Sequence, residues 1–336
     1  MQMDFLTANV FRQKVIQATR DFFDQQGFQE FLIPVLNKSV PMFPTVYPFL
    51  TKWEPTAQSI DLFLPIFPEK AMKKYLALGA EKPYAIGHCF RNLEDSGLTH
   101  HPEFLMLEWY RTDCNYEKIM EDTKQLCEYV CKKINKTNEK KGLITNEKTV
   151  KEIMKSEWKT LSIEDLWQEK FQMSVKEVMT LPEVTKLAQK LNYQTENATW
   201  EQLFNQIYLN EIESEFPQEP FFLIDFPAQM SPLCKPRADK PWLAERFELY
   251  IQQIEVGNGN SEQLDAKAVQ QYFTAEVLER QAQGLEKQPI DEDFLQSLET
   301  MEKSGKDFAG MGFGIDRLAM ILGGMESIAQ IWEPLK

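Results

Sequence analysis

The stretch that decides the fold is Phe308-Ala309-Gly310-Met311-Gly312-Phe313-Gly314-Ile315-Asp316-Arg317. In a strand, alternate residues share a face. Ala309, Met311, Phe313 and Ile315 then make an apolar face suited to a core. Gly310, Gly312 and Gly314 leave the other face bare. Glycine inside a strand costs roughly 0.5–1 kcal/mol relative to alanine, so a bare face implies something flat or a backbone lying close against it. Tight packing by glycine alone is the blander alternative. The spacing is G-x-G-x-G within the strand, unlike the G-x-G-x-x-G turn of dinucleotide sites. Arg317 follows at a helix start, where a phosphate would also meet unpaired backbone N–H groups.

Three other units carry chemistry. In Glu103-Phe104-Leu105-Met106-Leu107-Glu108-Trp109-Tyr110-Arg111, one strand face holds Phe104, Met106, Glu108 and Tyr110. A carboxylate between apolar neighbours demands a cation if it is buried; facing water, it demands nothing. In Glu245 to Glu262, a two-residue turn at Gln252-Gln253 sets Tyr250 opposite Glu255 and brings Glu248 and Glu255 to one face. With no nearby base, such a pair calls for a cation, and Mg²⁺ on one or two carboxylates plus phosphate is the economical one. Gln-Gln is a poor hairpin turn, which leaves the register open. Phe90-Arg91-Asn92 places an arginine at a strand end, and its planar guanidinium matches phosphate oxygens.

The remaining pattern is α+β. Residues 10–26 read as an amphipathic helix with Phe11, Val15, Ala18 and Phe22 in one stripe, stopped by Gly27. Residues 28–33 read as a strand closed by Pro34, and 84–91, 103–111, 220–226 and 245–258 as further strands. Short loops between neighbouring strands imply an antiparallel sheet with helices outside it. Helical patterns run from about 116, and 160–215 contains no residue singled out for chemistry. Between Lys132 and Lys159 nine lysines face four glutamates, a solvated face or a docking patch for an acidic partner.

The chain has 336 residues, 43% of them hydrophobic, enough for a buried core and about two domains by length alone. Its 37 basic and 51 acidic side chains give a formal charge of −14, against the expectation for a protein that mainly coats phosphate backbones. No apolar run approaches the ~18 residues of a membrane span. Five cysteines without a C-x-x-C pair, and a start that lacks the pattern of a secretory signal, fit a reducing cytoplasm.

The order of these units resembles the class II aminoacyl-tRNA synthetases, in particular the lysyl group. Phe90-Arg91-Asn92 with His101-Pro102-Glu103-Phe104 resembles that class's second motif, Gly310 to Arg317 its third, and Gly27-Phe28 to Pro34 its first. Pro68-Glu69 and Pro227 with Ser231-Pro232-Leu233 also have lysyl-group counterparts. The resemblance implies a class II synthetase-like antiparallel sheet flanked by helices. It implies one large catalytic domain over 1–336, with a helical insertion near 115–215 and a homodimer built through the first motif. ATP and an amino acid would give an aminoacyl-adenylate. Arg91 would hold the α-phosphate and Arg317 the γ-phosphate. Phe104 would stack on adenine, His100 would lie near the pyrophosphate end, and Glu94 and Gly314 would contribute to ATP binding. Glu248 and Glu255 would hold Mg²⁺. Glu108, Tyr110 and Glu262 would take a side-chain ammonium, Glu69 the α-amino group, and Asn258 and Gly312 would also meet the amino acid.

The chain departs from the family in four places. Asn92-Leu93-Glu94 stands where Arg-x-Glu is usual, which puts the role of Glu94 in doubt. Asn260 replaces an aromatic residue, Gly312 matches the tRNA ligases where β-lysine-using paralogues tend to have alanine, and Phe67 fits neither group. The first motif begins near residue 27, leaving no room for the anticodon-binding barrel of lysyl-tRNA synthetases. That feature and the charge resemble the elongation factor P–lysine ligases, whose acceptor is a lysine of a translation factor. Charging of tRNA, and a silent paralogue that only binds, remain as alternatives.

Overall fold

Asp4 starts the first helix by accepting a hydrogen bond from the Thr7 backbone N–H, so α1 (Phe5–Gln25) begins a turn earlier than its apolar stripe. It ends at Gly27, whose φ of +73° suits glycine. The computed structural model describes residues 3–43, 46–55, 58–93, 97–138, 146–155, 157–282, 284–285 and 288–332. The strands are β1 (Gln29–Glu30), β2 (Leu50–Trp53), β3 (Ile60–Phe63), β4 (Pro83–Phe90), β5 (Glu103–Thr112), β6 (Lys159–Ser162), β7 (Phe221–Ile224), β8 (Arg246–Ile251), β9 (Ile254–Ser261) and β10 (Phe308–Gly314). The further helices are α2 (Glu69–Ala77), α3 (Tyr116–Asn138), α4 (Glu147–Ile153), α5 (Ile163–Phe171), α6 (Leu181–Lys190), α7 (Trp200–Ile207), α8 (Ala266–Ala282), α9 (Glu292–Lys303) and α10 (Ile315–Gly323). No helix among the described residues is long and apolar enough to cross a membrane.

Eight strands form one sheet in the order β1-β4-β5-β10-β9-β8-β7-β6. It is antiparallel except for β1 on β4 and β6 on β7. The expected α+β architecture is therefore present, with β10 near the middle. The strand expected over 28–33 shrinks to Gln29–Glu30, although Phe31 N–H still donates to Tyr84 O. Pro34 and the exposed Leu32 keep the chain from continuing the ladder. β6 carries no strong strand pattern and forms by pairing with β7.

One sheet face is covered by α1, α3, α4 and α10. Leu107, Trp109, Ala309, Met311, Phe313, Phe247 and Leu249 bury their side chains there, with the α1 stripe. The stretch 115–215 divides between two cores. α3 belongs to this main core, whereas α5, α6 and α7 enclose a second one with Trp167, Phe204 and Phe221 at the β7 end. Of the Lys-rich segment, residues 139–145 and 156 lie outside the described residues. Lys132 and Lys151 each pair with a glutamate one turn earlier on their own helix, and Lys155, just past α4, pairs with Glu152, the solvated-face arrangement.

Two features tie these layers together. Gln252 and Gln253 both adopt left-handed backbone, with φ of 56° and 60°, which a two-residue hairpin turn of the favoured hand needs. Their amides are held from outside the hairpin: Gln252 donates to Thr149 Oγ1 at 2.6 Å and Gln253 to Phe216 O at 2.5 Å. These bonds offset a left-handed cost of roughly 1–2 kcal/mol per residue. Asp316 is the second feature. Its carboxylate meets Arg12 Nε at 2.7 Å, Leu105 N–H at 2.8 Å and Trp332 Nε1 at 2.9 Å. It thus locks α10 to α1, β5 and the C-terminal turn.

Arg12 and Asp316 are both buried. Removing one partner of such a pair strands the other charge, at about 3–5 kcal/mol. Asp316→Ala is expected to lower the free energy of unfolding by that amount in a urea titration. A loss below about 1 kcal/mol would show that the lock does not bear on stability.

Candidate active site

The glycine face opens into a cleft of about 490 Å³. Register explains its walls. On one side β5 sets Tyr110, Glu108 and Met106 directly across from Gly310, Gly312 and Gly314. On the other, β9 sets Asn260 across from Gly310 and Asn258 across from Gly312. The result is a lane about 13 Å long with a backbone floor and polar flanks.

A β-bulge puts the second flank in place. Tyr250 pairs with Glu255 but Leu249 pairs with Gly257, so Val256 is an extra residue on β9. Strict alternation from Glu255 would reach Gly257 and Gly259. The bulge resets the alternation, and Glu255, Asn258 and Asn260 all line the cleft. The two-residue turn and the Tyr250–Glu255 pairing are as expected, and Glu248 shares the face with Glu255.

At the Gly314 end lie the arginines. Arg317 is in the first turn of α10, and its guanidinium donates to Glu255 O at 2.7 Å and Thr99 O at 3.2 Å. His100 Nε2 lies 2.8 Å from Arg317 Nη2. Arg91 has its guanidinium carbon 4.9 Å from the Phe67 ring centre and 5.0 Å from that of Phe104, close enough for cation–π attraction. Phe67, unexplained by either family pattern, thus helps to aim Arg91. Glu94 lies outside the described residues.

The carboxylates nearby differ from expectation in one respect. Glu248 has a cation from its own chain: Arg246 Nη2 is 2.7 Å from Oε1, and the Tyr250 hydroxyl donates to Oε2 at 3.0 Å. Burial and the Glu255 charge still push the Glu248 carboxyl up to about 7. Among the described residues no group of three or more His, Cys, Asp or Glu side chains is set to hold a metal. An ion at Glu248 and Glu255 would therefore need phosphate and water to complete its shell, which is how Mg²⁺ is usually held.

The Gly310 end is acidic. Tyr110 donates to Glu108 Oε1 at 2.7 Å, and both are buried. Burial and the Glu69 charge raise the Glu108 carboxyl well above the ordinary range. Glu262 lies just behind the cleft wall, with Lys73 Nζ 2.7 Å from Oε2 and the Asn260 amide donating to Oε1 at 3.1 Å. Burial pushes its carboxyl up to about 7 although Lys73 pulls it down. Lys73 also lies 2.7 Å from Glu69 Oε1. Asn260 thus uses the place of an aromatic residue to anchor Glu262.

The structure brings the expected site residues that it describes to the cleft lining, except Glu262, which lies behind the wall on Lys73 and Asn260. Sequence reasoning missed Arg246, Lys73 and the insertion's wall, where Glu201, Tyr208 and Glu213 reach the cleft. The i, i+4 spacing of Glu69 and Lys73 on α2 was a usable signal. The segment holding Glu201 to Glu213 offered none, although it forms a π-helical turn at Tyr208–Ile212 of the kind frequent at functional sites.

The cleft is thus a lane with a bare backbone floor, arginines at one end and carboxylates at the other. The family model "tRNA synthetases class II (D, K and N)" matches residues 6–333, and the chain belongs to that class II synthetase family. The lysine–tRNA ligase of Thermoanaerobacter pseudethanolicus is 33% identical over 322 residues, 95% of this chain and 62% of the relative. Those of Listeria welshimeri and Bacillus subtilis are 33% and 32% identical, covering 96% and 95% of this chain and 62% of each relative. The chain therefore spans 62% of the length of these curated relatives.

Two glycines of the lane are expected to respond differently to a methyl group. At Gly310 a Cβ would run into the Tyr110 ring, whereas at Gly312 it would meet only Met106 Sδ at 3.6 Å. Gly310→Ala should cost about 1–3 kcal/mol by overpacking, and Gly312→Ala less than about 1 kcal/mol. Equal losses in parallel denaturant titrations would contradict the assigned geometry.

Proposed function

We propose that the chain activates lysine or a lysine-like amino acid with ATP and passes it to a lysine side chain of elongation factor P. The observation that carries the first half is the two-ended lane: Arg91 and Arg317 at one end, and Glu69, Glu108, Tyr110 and Glu262 at the other. ATP lies along the glycine floor with Phe104 against adenine and His100 near the pyrophosphate end. Glu94, Gly314 and Arg317 contribute to nucleotide binding, and Asn258 and Gly312 border the amino acid. Glu248 and Glu255 would hold Mg²⁺, which would supply charge neutralisation to the phosphates.

The amino-acid carboxylate attacks the α-phosphorus. A new O–P bond forms, the bond to the β-phosphate oxygen breaks, and pyrophosphate leaves. No general base is needed, because a carboxylate is already the nucleophile. The side chains contribute alignment and charge stabilisation. Arg91 neutralises charge on the α-phosphate and Arg317 on the departing end. In the second step a lysine amine attacks the acyl carbonyl and AMP leaves.

The net charge of −14 supports a protein acceptor over a polyanion. The names of the relatives favour a second reading, the charging of tRNA. Both readings place the chain as a single catalytic unit spanning 1–336. A reducing cytoplasmic setting suits its five free cysteines. A homodimer suits the apolar side chains left uncovered near β1: Leu32, 84% exposed, with Val35 and Leu36.

Pyrophosphate exchange over a panel of amino acids tests activation. Lysine or a close analogue should support exchange, and Glu262→Ala should reduce it roughly 10²-fold or more. A silent panel leaves only the binding-module reading, and a near-normal rate in the variant sinks the assigned pocket. Labelled amino acid offered with both elongation factor P and tRNA then identifies the acceptor: label on RNA alone favours tRNA charging. Sedimentation should give a dimer that Leu32→Asp with Leu36→Asp dissociates, and a monomeric wild type would refute the interface.

A further inference from the structure

The helical insertion sets one carboxylate into the cleft wall and gives it no partner. The other carboxylates of the cleft lining are all held: Glu69 by Lys73, Glu108 by Tyr110, Glu213 by Tyr250, Glu248 by Arg246, Glu255 by the Asn258 amide and Asp316 by Arg12. Glu201 lines the same cleft, and among the described residues none makes a hydrogen bond or ion pair with it. Its place in the first turn of α7 accounts for an acidic residue, but not for one set in the cleft wall. Glu201, Asn205 and Leu209 follow at four-residue spacing and all reach the cleft, as side chains on one helix face do. Leu209 is 52% exposed, so this strip borders the mouth.

The surroundings of Glu201 add negative charge and no cation to spare. Burial and then the charge of Glu276, on α8, raise its carboxyl above the ordinary value. Glu276 is itself held by Arg280 at 2.8 Å, and that guanidinium also donates to Phe43 O and Val46 O. Tyr272, one turn before Glu276, feels the charges of Glu276, Glu201 and Arg280. Its hydroxyl oxygen is buried with no hydrogen-bond partner among the described residues. The neighbourhood of Glu201 thus holds a second unsatisfied group.

We propose that Glu201 receives the acceptor: it draws a primary ammonium, the end of a lysine side chain, into the mouth of the cleft and takes its proton so that the amine can attack. The proposal rests on the reading that the chain passes its activated amino acid to a protein lysine. An ammonium has no lone pair and cannot attack until it loses a proton. Glu201 takes that proton, and the freed lone pair forms a C–N bond to the acyl carbon. The bond from that carbon to the phosphate oxygen breaks, AMP leaves with the electron pair, and the second amine proton goes to solvent. A polyanionic acceptor gains nothing from this residue, because an uncompensated carboxylate at the mouth repels it. Activation has a carboxylate nucleophile and no proton to remove, so Glu201 serves the transfer step.

Adenylate formed on the whole chain and chased with an acceptor in single turnovers tests this. The acceptors are elongation factor P, tRNA, and hydroxylamine, which is uncharged at neutral pH. At pH 7, Glu201→Gln should slow transfer to the factor at least ~10-fold more than it slows pyrophosphate exchange or capture by hydroxylamine. That deficit should shrink as pH rises toward about 10, where a lysine amine loses its proton unaided. Glu201→Lys should slow transfer to the factor further, by repelling the ammonium.

Glu201 makes no bond in the fold, so the isosteric Gln leaves the fold intact. A change equal for exchange, hydroxylamine and the factor, no change included, overturns the proposal. So does a deficit that pH does not alter, the mark of a merely structural role. Wild-type protein that labels tRNA and not the factor, or hydroxylamine alone, overturns the functional reading itself.

Discussion

A strand with one naked face is the constraint on which the rest of the molecule depends. β10 can go without side chains at Gly310, Gly312 and Gly314 only because Ala309, Met311 and Phe313 bury completely on its other side; Gly310 itself lies buried under the Tyr110 ring. The neighbouring strand makes room in kind. A Cβ at Gly259 would meet Gly310 O at 2.7 Å and the Phe247 ring at 2.6 Å, so β9 too must be bare where it presses on β10. The core face thus holds the strand, and the other face becomes the backbone floor of the cleft. The cleft side chains then come from β5 and β9 beside that floor, from β8, α2 and α7, from the segment after β4 and from the first turn of α10.

Internal cations decide how much negative charge the cleft shows. Arg246 answers Glu248, Lys73 answers Glu262 and Glu69, and Arg12 answers Asp316. A buried carboxylate without such a partner would take a proton. One with a partner keeps its geometry, and the partner pulls its carboxyl back toward the charged form against the effect of burial. Among the described residues, the carboxylates toward the Gly314 end are partly compensated by arginines and those at the Gly310 end only once, by a lysine. The two ends of one cleft therefore differ in charge.

Much of this was legible in the residues. The alternation in 308–315 and 103–111 placed the correct side chains on the correct faces, because a sheet buried on one side cannot slip by one residue. The i, i+3, i+4 stripe of α1 was equally plain. The short β1, the parallel β6 and the cleft wall from 201–213 were not, since each takes its form from a neighbour distant in sequence. Glu248 and Glu255 were expected on one face for a register that Gln252-Gln253 does not favour locally. Thr149 and Phe216 O, from two separate elements, hold that turn.

The sequence by itself determined the period of every major strand, the bare lane, and the inventory of arginines and carboxylates. Local pattern and covalent geometry suffice for those. Only the tertiary structure decided which charges cancel. It paired Asp316 with an arginine 304 positions away, turned Lys73 toward Glu69 and Glu262 and Lys70 toward Asp291, and shifted β9 by one residue at Val256 so that Asn258 and Asn260 face the cleft. Such pairings depend on distance through space and on exclusion of water, which the order of residues along a chain does not specify.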